Sequence, residues 1–205
     1  MESIVILGAG QQGRICKRLA QDNGMDVRAF VDDFIIGEVE GIPVFSKIEE
    51  IPMYDTYKYH VAIGEIPPRK KFCEELKRLG LETVNLIDKT AIVEEGAKIG
   101  KGNFIQKFAI IYASAEIGDN NINNCKAICA TDAKVGNNNN ISMGCNVCGG
   151  VEIGDNNYIG CNASLVSGVS VGSDTVIGAA SVVLKDVGSD VFVAGAPAIQ
   201  KERHK

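Results

Sequence analysis

The stretch Val93-Glu-Glu-Gly-Ala-Lys-Ile99-Gly-Lys-Gly-Asn-Phe-Ile105-Gln-Lys-Phe-Ala-Ile-Ile111 decides the fold of the second half of this chain. An aliphatic residue returns at every sixth position. The register continues without insertion through Ile117, Val135, Ile141, Val147, Ile153, Ile159, Leu165, Val171, Ile177 and Val183, interrupted only by Asn123 and Cys129. Glycine follows the aliphatic at Gly100, Gly118, Gly136, Gly154 and Gly172, eighteen residues apart. A six-residue repeat led by β-branched residues is the signature of a parallel β-helix. Three hexapeptides per eighteen-residue turn predict a triangular prism. Spacing this strict, with no variable loops, argues against a right-handed β-helix or a sandwich.

A second inward position is expected four residues after each leading aliphatic, and it must be small to fit near a corner. The residues there, from Ala97 to Ser181, include none that is bulky or charged. Asn103, Asn121, Asn139 and Asn157 recur at eighteen. They should stack on strands about 4.8 Å apart and form a ladder of side-chain amides.

Composition narrows the class. A chain of 205 residues, 45% hydrophobic, can bury one large core or two modest ones. It opens MESIVILG, without the form of a signal peptide, and no apolar run approaches membrane-spanning length. The expectation is a cytoplasmic protein without a membrane partner. Net charge is −5 with no basic patch, which argues against nucleic acid as a partner. Seven cysteines read as reduced thiols. Cys145 and Cys148 form a CxxC, but the register turns the first inward and leaves the second near the surface, so neither a redox pair nor a metal site is expected.

The first 87 residues read differently, and the expected domains are 1–87 and 88–205. An apolar strand, Ser3 to Leu7, runs into Gly8-Ala-Gly10-Gln11-Gln12-Gly13 and a helix to about Asp22. Further strands are expected at Val27 to Val31, Tyr59 to Ile63 and Thr83 to Ile87, with a helix from Pro68 to Leu79 capped by Gly80. Strands alternating with helices imply a small parallel sheet of about four strands. Beyond Val183 the repeat stops, and Val191 to Ile199 should cap or extend the prism. The fold class is therefore α/β followed by all-β: a small Rossmann-like domain, then a parallel β-helix.

A G-x-G-x-x-G pattern between a strand and a helix is an anion site. Its glycines admit close backbone approach, and the helix N-terminus presents N–H groups and positive dipole. Asp32 follows at the distance where a carboxylate grips a ribose. So short a domain offers a nucleotide half-site rather than a complete dinucleotide site. A bound nucleotide is the reading; a tight turn without ligand is the alternative.

A short nucleotide-binding domain followed by a left-handed hexapeptide β-helix resembles one family over essentially the full length. It is similar to the bacterial sugar acetyltransferases of the sialic acid O-acetyltransferase and bacillosamine N-acetyltransferase type. The likeness rests on Gly8-Ala-Gly-Gln-Gln-Gly13, Phe30-Val-Asp-Asp-Phe34, Ala62-Ile-Gly-Glu65 with Arg69 and Lys70, Val84-Asn-Leu-Ile87, the repeats, and Ala194-Gly-Ala-Pro-Ala198. The resemblance implies a nucleotide-linked amino sugar across the N-terminal domain, touched by Gly10, Gln11, Gln12, Asp32, Asp33 and Gly64. It implies acetyl-CoA along the β-helix, between subunits of a homotrimer, touched by Asn140, Cys161, Gly178 and Ala179. It also implies a histidine-acidic pair as general base.

The sequence departs from the family at the chemistry. Thr131-Asp132 stands where the family has its histidine-acidic pair, and Asn140 where a second histidine approaches the thioester. The only histidines are His60, in a nucleotide-domain strand, and His204, in the tail. A positioned base contributes about 10²–10⁴ in rate, or roughly 3–5 kcal/mol. A sugar hydroxyl must shed its proton as it attacks. A neutral amine is already nucleophilic and loses its proton afterwards, so positioning and oxyanion stabilisation can sustain N-acylation. On this reading Asp132 accepts the departing proton and Asn124 orients the acceptor. The alternatives are a silent relative that binds a nucleotide sugar or CoA, with Asp132 a corner carboxylate, and an O-acetyltransferase.

Overall fold

The computed structural model describes residues 2–202, so His204 lies outside the described residues. The chain divides into two compact units between Leu86 and Ile87. The first holds β1 (Ser3–Leu7), α1 (Gln11–Asp22), β2 (Asp26–Val31), β3 (Gly37–Val39), β4 (Ile42–Phe45), β5 (Lys58–Val61) and α2 (Ile66–Arg78). Its strands lie in the order β3-β4-β2-β1-β5, parallel except for the β3–β4 hairpin. Ile4, Val5, Ile6 and Leu7 are all fully buried, as a central parallel strand covered on both faces requires. Val5, Leu7, Ala29, Val31, Tyr59, Phe72 and Leu76 share one core cluster.

Two expectations need correction here. The sheet has five strands, not about four, because the short hairpin of β3 and β4 adds two beyond β2. Its strands are too short for a periodic signal, and Pro43 reads as a breaker. The strand expected at Thr83 to Ile87 shrinks to a bridge between Tyr59 and Thr83 and the two-residue strand Leu86–Ile87.

The second unit is the expected left-handed parallel β-helix. Its two-residue strands stack at eighteen residues into three parallel sheets, one per face of the prism. From Ile105 onward every leading position except Asn123 is hydrophobic and buried, including Cys129. The faces differ outside. One carries Lys98, Glu116, Lys134, Glu152 and Ser170, paired as Lys98–Glu116 at 2.7 Å and Lys134–Glu152 at 2.9 Å. A second carries Ile92, Ile110, Ile128, Asn146, Ser164 and Val182, with no charge. The third includes Phe104, Ile122, Asn140, Tyr158 and Val176. At its C-terminal end Phe192–Ala194 pairs with Val176–Ile177, so the tail extends this face.

Corners explain the rest of the repeat. The third residue after each leading aliphatic is left-handed, from Gly96 through Asn120, Asp132, Asn138, Asn156 and Asp174 to Ala180. Glycine, asparagine and aspartate tolerate this region best. The glycine column has a different cause. A Cβ on Gly118 would come 2.7 Å from the Gly136 carbonyl of the next coil.

The asparagine ladder forms, but not from amide to amide. Asn103 Oδ1 accepts the backbone N–H of Asn121 at 2.9 Å, and Asn121, Asn139 and Asn157 repeat the bond to the next coil at 2.8 Å. Each Nδ2 of Asn103, Asn121 and Asn139 donates to a glycine carbonyl fifteen residues on. The backbone at an inside corner has groups that no strand pairs, and the amides satisfy them before they meet one another.

Candidate functional site

The glycine loop leaves β1 with its amides aimed at neighbouring elements. Gly8 N–H donates to Val31 O at 2.7 Å and Ala62 N–H to Leu7 O at 2.7 Å. Gly8 has φ +105°, and a Cβ there would lie 2.8 Å from Ala62 O, so only glycine lets the end of β5 come this close. Helix α1 starts from Gly10 without a side-chain cap and without an acidic residue in its first turn. Its first-turn N–H groups therefore favour an anion. No atom lies within 4 Å of a Cβ built on Gly10. The chain crosses from β1 to β2 on one side, while β5 lies on the other. That is the switch point at which open α/β sheets bind ligands. Gly10, Gln11, Gln12 and Gly64 border it, at the C-terminal ends of β1 and β5.

Asp32 has a building role within the loops. Its Oδ2 accepts the Ala9 N–H at 2.8 Å, and its Oδ1 accepts those of Phe34 and Ile35 at 2.9 Å each. One carboxylate thus ties the glycine loop to the loop after β2. Asp33 faces Lys71 at 3.5 Å. Arg69, on α2, is buried and its Nη1 donates to the carbonyls of Ile63 at 3.1 Å and Gly64 at 2.8 Å. Burial lowers its pKa to about 10, which leaves it charged at neutral pH. It holds the Gly64 turn in place. His60 is fully buried on β5 with Nδ1 3.0 Å from Val84 O, and burial lowers its pKa to about 4. It is a neutral core histidine.

In the β-helix the site residues sort onto two edges. Asn124 follows Ile122–Asn123, at the edge joining the third face to the uncharged face. Cys161, Gly178 and Ala179 follow strands on the same edge at successive coils, and Asn140 lies on the adjoining third face. Gln106 sits one coil before Asn124 and donates from Nε2 to its Oδ1 at 2.8 Å. Asn124 Nδ2 then donates to Asn140 Oδ1 at 2.9 Å. This amide chain fixes which end of Asn124 points where. Gln106 was missed in the sequence; its place eighteen residues before Asn124 was the available signal. Cys125 donates from Sγ to Gln106 Oε1 at 3.1 Å.

Thr131 and Asp132 lie elsewhere. They follow Ile128–Cys129, at the edge joining the uncharged face to the Lys/Glu face. Both are exposed, and Asp132 is left-handed with φ +60°. A single chain therefore does not bring Asp132 to Asn124. Cys145 is buried with Sγ 3.0 Å from Gly160 O, whereas Cys148 is partly exposed. Among the described residues no group of three or more His, Cys, Asp or Glu is placed to hold a metal. No helix among them is long and apolar enough to cross a membrane.

Residues 3–76 match the family model described as the PglD N-terminal domain. Among solved structures, a histidine-to-asparagine mutant of perosamine N-acetyltransferase from Caulobacter crescentus, in complex with CoA and GDP-perosamine, is 28% identical. The match covers 99% of this chain and 98% of that one, with a TM-score of 0.91. The acetyltransferase domain of PglB from Neisseria gonorrhoeae FA1090 is also 28% identical over 98% of this chain and 100% of its own, at TM-score 0.91. Residues 3–76 are thus similar to that family's N-terminal domain, and nearly the whole chain is similar to acetyltransferases of known structure. The same Neisseria domain in complex with acetyl coenzyme A matches at 25% identity and TM-score 0.76, over 98% of this chain and 99% of its own. An uncharacterised protein of Acanthamoeba polyphaga mimivirus, L142, is 27% identical over 102 residues, 49% of this chain. That match spans only 20% of the viral protein.

Proposed function

We propose that this protein transfers an acyl group, acetyl as the first candidate, from a CoA thioester to the amine of a nucleotide-linked amino sugar. One observation carries the reading. The near-complete match, at TM-score 0.91, is to an N-acetyltransferase holding CoA and a nucleotide-linked amino sugar in a variant that itself lacks a histidine. Both ligands stay bound there without that imidazole, so binding of the two in such a fold does not require it. The nucleotide would occupy the glycine-loop switch point, on Gly10, Gln11, Gln12, Asp33 and Gly64, with Asp32 shaping the loop. The thioester would run along the edge bearing Cys161, Gly178 and Ala179, beside Asn140 on the adjoining face.

The two edges of the β-helix favour a trimer with shared sites. The face between them is uncharged, as an interface core should be, while the Lys/Glu face suits solvent. Packing neighbouring prisms through the uncharged face would bring Asp132 of one copy towards Asn124 of the next. Asn124, locked by Gln106 and Asn140, would orient the acceptor amine, and Asp132 would take its proton after attack. The missing histidines favour one second reading, a relative that binds the nucleotide sugar or CoA without turnover.

Titration calorimetry with CoA and with nucleotide-linked amino sugars separates the site assignments, using Gly10→Val. The open space at Gly10 lets valine fold, but places its methyls where phosphate would sit. Nucleotide-sugar binding should be lost and CoA binding retained. Unchanged nucleotide-sugar affinity in a folded Gly10→Val protein would refute the placement.

A further inference from the structure

Phe34 is the most exposed of the large hydrophobic side chains among the described residues, at 92%, on the loop that follows β2. An aromatic ring left in water is ordinary on a mobile loop. This loop is not arranged as one. Its Phe34 and Ile35 amides are both held by Asp32 Oδ1 at 2.9 Å, and the Asp32 amide donates to Phe45 O at 3.0 Å. The backbone is fixed and the ring projects from it.

The same carboxylate ends on the glycine loop, through Ala9 N–H at 2.8 Å. Hydrogen-bond lengths then keep the Phe34 amide within about 8 Å of the Ala9 amide. A ligand with its phosphates on the amides of Gly10 to Gln12 has its next group, the ribose and base, within reach of this ring. Ile36, 84% exposed, widens the apolar surface beside it. Resting on the nucleotide site proposed above, we infer that Phe34 is the stacking platform for the nucleotide base. Asp32 is then its positioning residue, which accounts for a carboxylate whose oxygens are turned to backbone amides rather than outward.

Stacking on a π-face is tolerant of base identity. The platform therefore sets affinity for purine and pyrimidine nucleotides alike, and base preference must come from hydrogen-bonding groups elsewhere. The test is titration calorimetry of the full chain and of Phe34→Ala with UDP, GDP and inorganic pyrophosphate. Phe34→Ala should weaken both nucleotides by about tenfold to a hundredfold, the range typical of one stacked base. Pyrophosphate affinity should not change, and Phe34→Trp should restore nucleotide binding. Because the ring is exposed, the melting temperature should stay where it is. If the wild type binds UDP or GDP and Phe34→Ala binds it equally well, the platform is refuted while the nucleotide site stands. If pyrophosphate weakens in parallel with the nucleotides, the ring acts on the loop and not on the base, which also overturns the inference. If the wild type binds no nucleotide at all, it is the underlying site that fails.

Discussion

Asn139→Ala removes one rung of the ladder inside the β-helix, and its cost follows from two hydrogen bonds. Asn139 Oδ1 accepts the Asn157 N–H at 2.8 Å, and Nδ2 donates to Gly154 O at 2.9 Å. Alanine makes neither bond and leaves the buried Asn157 N–H and the part-buried Gly154 carbonyl without those partners. An unpaired buried group costs about 1–3 kcal/mol. The Gly154 carbonyl is partly accessible, so the lower end applies to it, and the pair should cost about 3 kcal/mol in total. For a chain of this size each kcal/mol lowers the melting temperature by about 2–4 °C, so a fall of roughly 10 °C is expected. Differential scanning calorimetry at fixed protein concentration measures it, with Lys134→Ala as the comparison. Lys134 is exposed and its ion pair is with Glu152 on the surface, so its loss should shift the midpoint far less. A fall below 2 °C for Asn139→Ala would show that the ladder bonds are replaced at no cost, and the account of the corners would be wrong.

Two further outcomes follow from buried and exposed groups. His60 has a folded pKa of about 4 against 6.5 for a free imidazole. Its contribution is therefore complete above pH 6.5 and lost as pH falls towards 4, about 3 kcal/mol in all. Urea unfolding across pH 4 to 7 should show this slope in the wild type and a flatter one in His60→Gln; equal slopes would contradict it. Thr131→His places an imidazole beside Asp132 and should raise thiol release by up to about 10²-fold. An unchanged rate with both ligands bound would mean that this edge does not meet the acceptor.

The β-helix was legible because its physics repeats. Leading aliphatics must fill a narrow prism, corners need residues that accept a left-handed backbone, and Gly100 to Gly172 must clear the coil beyond. Each demand returns at a fixed spacing. The hairpin of β3 and β4 was not legible, since three- and four-residue strands carry no period. The ladder was half legible: spacing stacks the asparagines, but only the unpaired corner backbone decides what their amides bond. At the candidate site, the glycine loop announced itself by pattern. The amide chain from Gln106 through Asn124 to Asn140 did not, because residues eighteen and sixteen apart become neighbours only once the coil is wound. The backbone bonds of Asp32 carry no such signal: its spacing points to a ribose, but only the fold shows that its carboxylate also joins two loops. Arg69 and Phe34 stand in the stretches that carry the family likeness, but nothing in their spacing tells that one holds a turn and the other projects from a fixed loop.

Amine acylation without a histidine base can be read from thiol release. With acetyl-CoA, a nucleotide-linked amino sugar should give release that Gly10→Val abolishes. Its hydroxyl counterpart on the same nucleotide should give none above background. No release from the amine when calorimetry shows both ligands bound would contradict amine acylation and leave a binding protein.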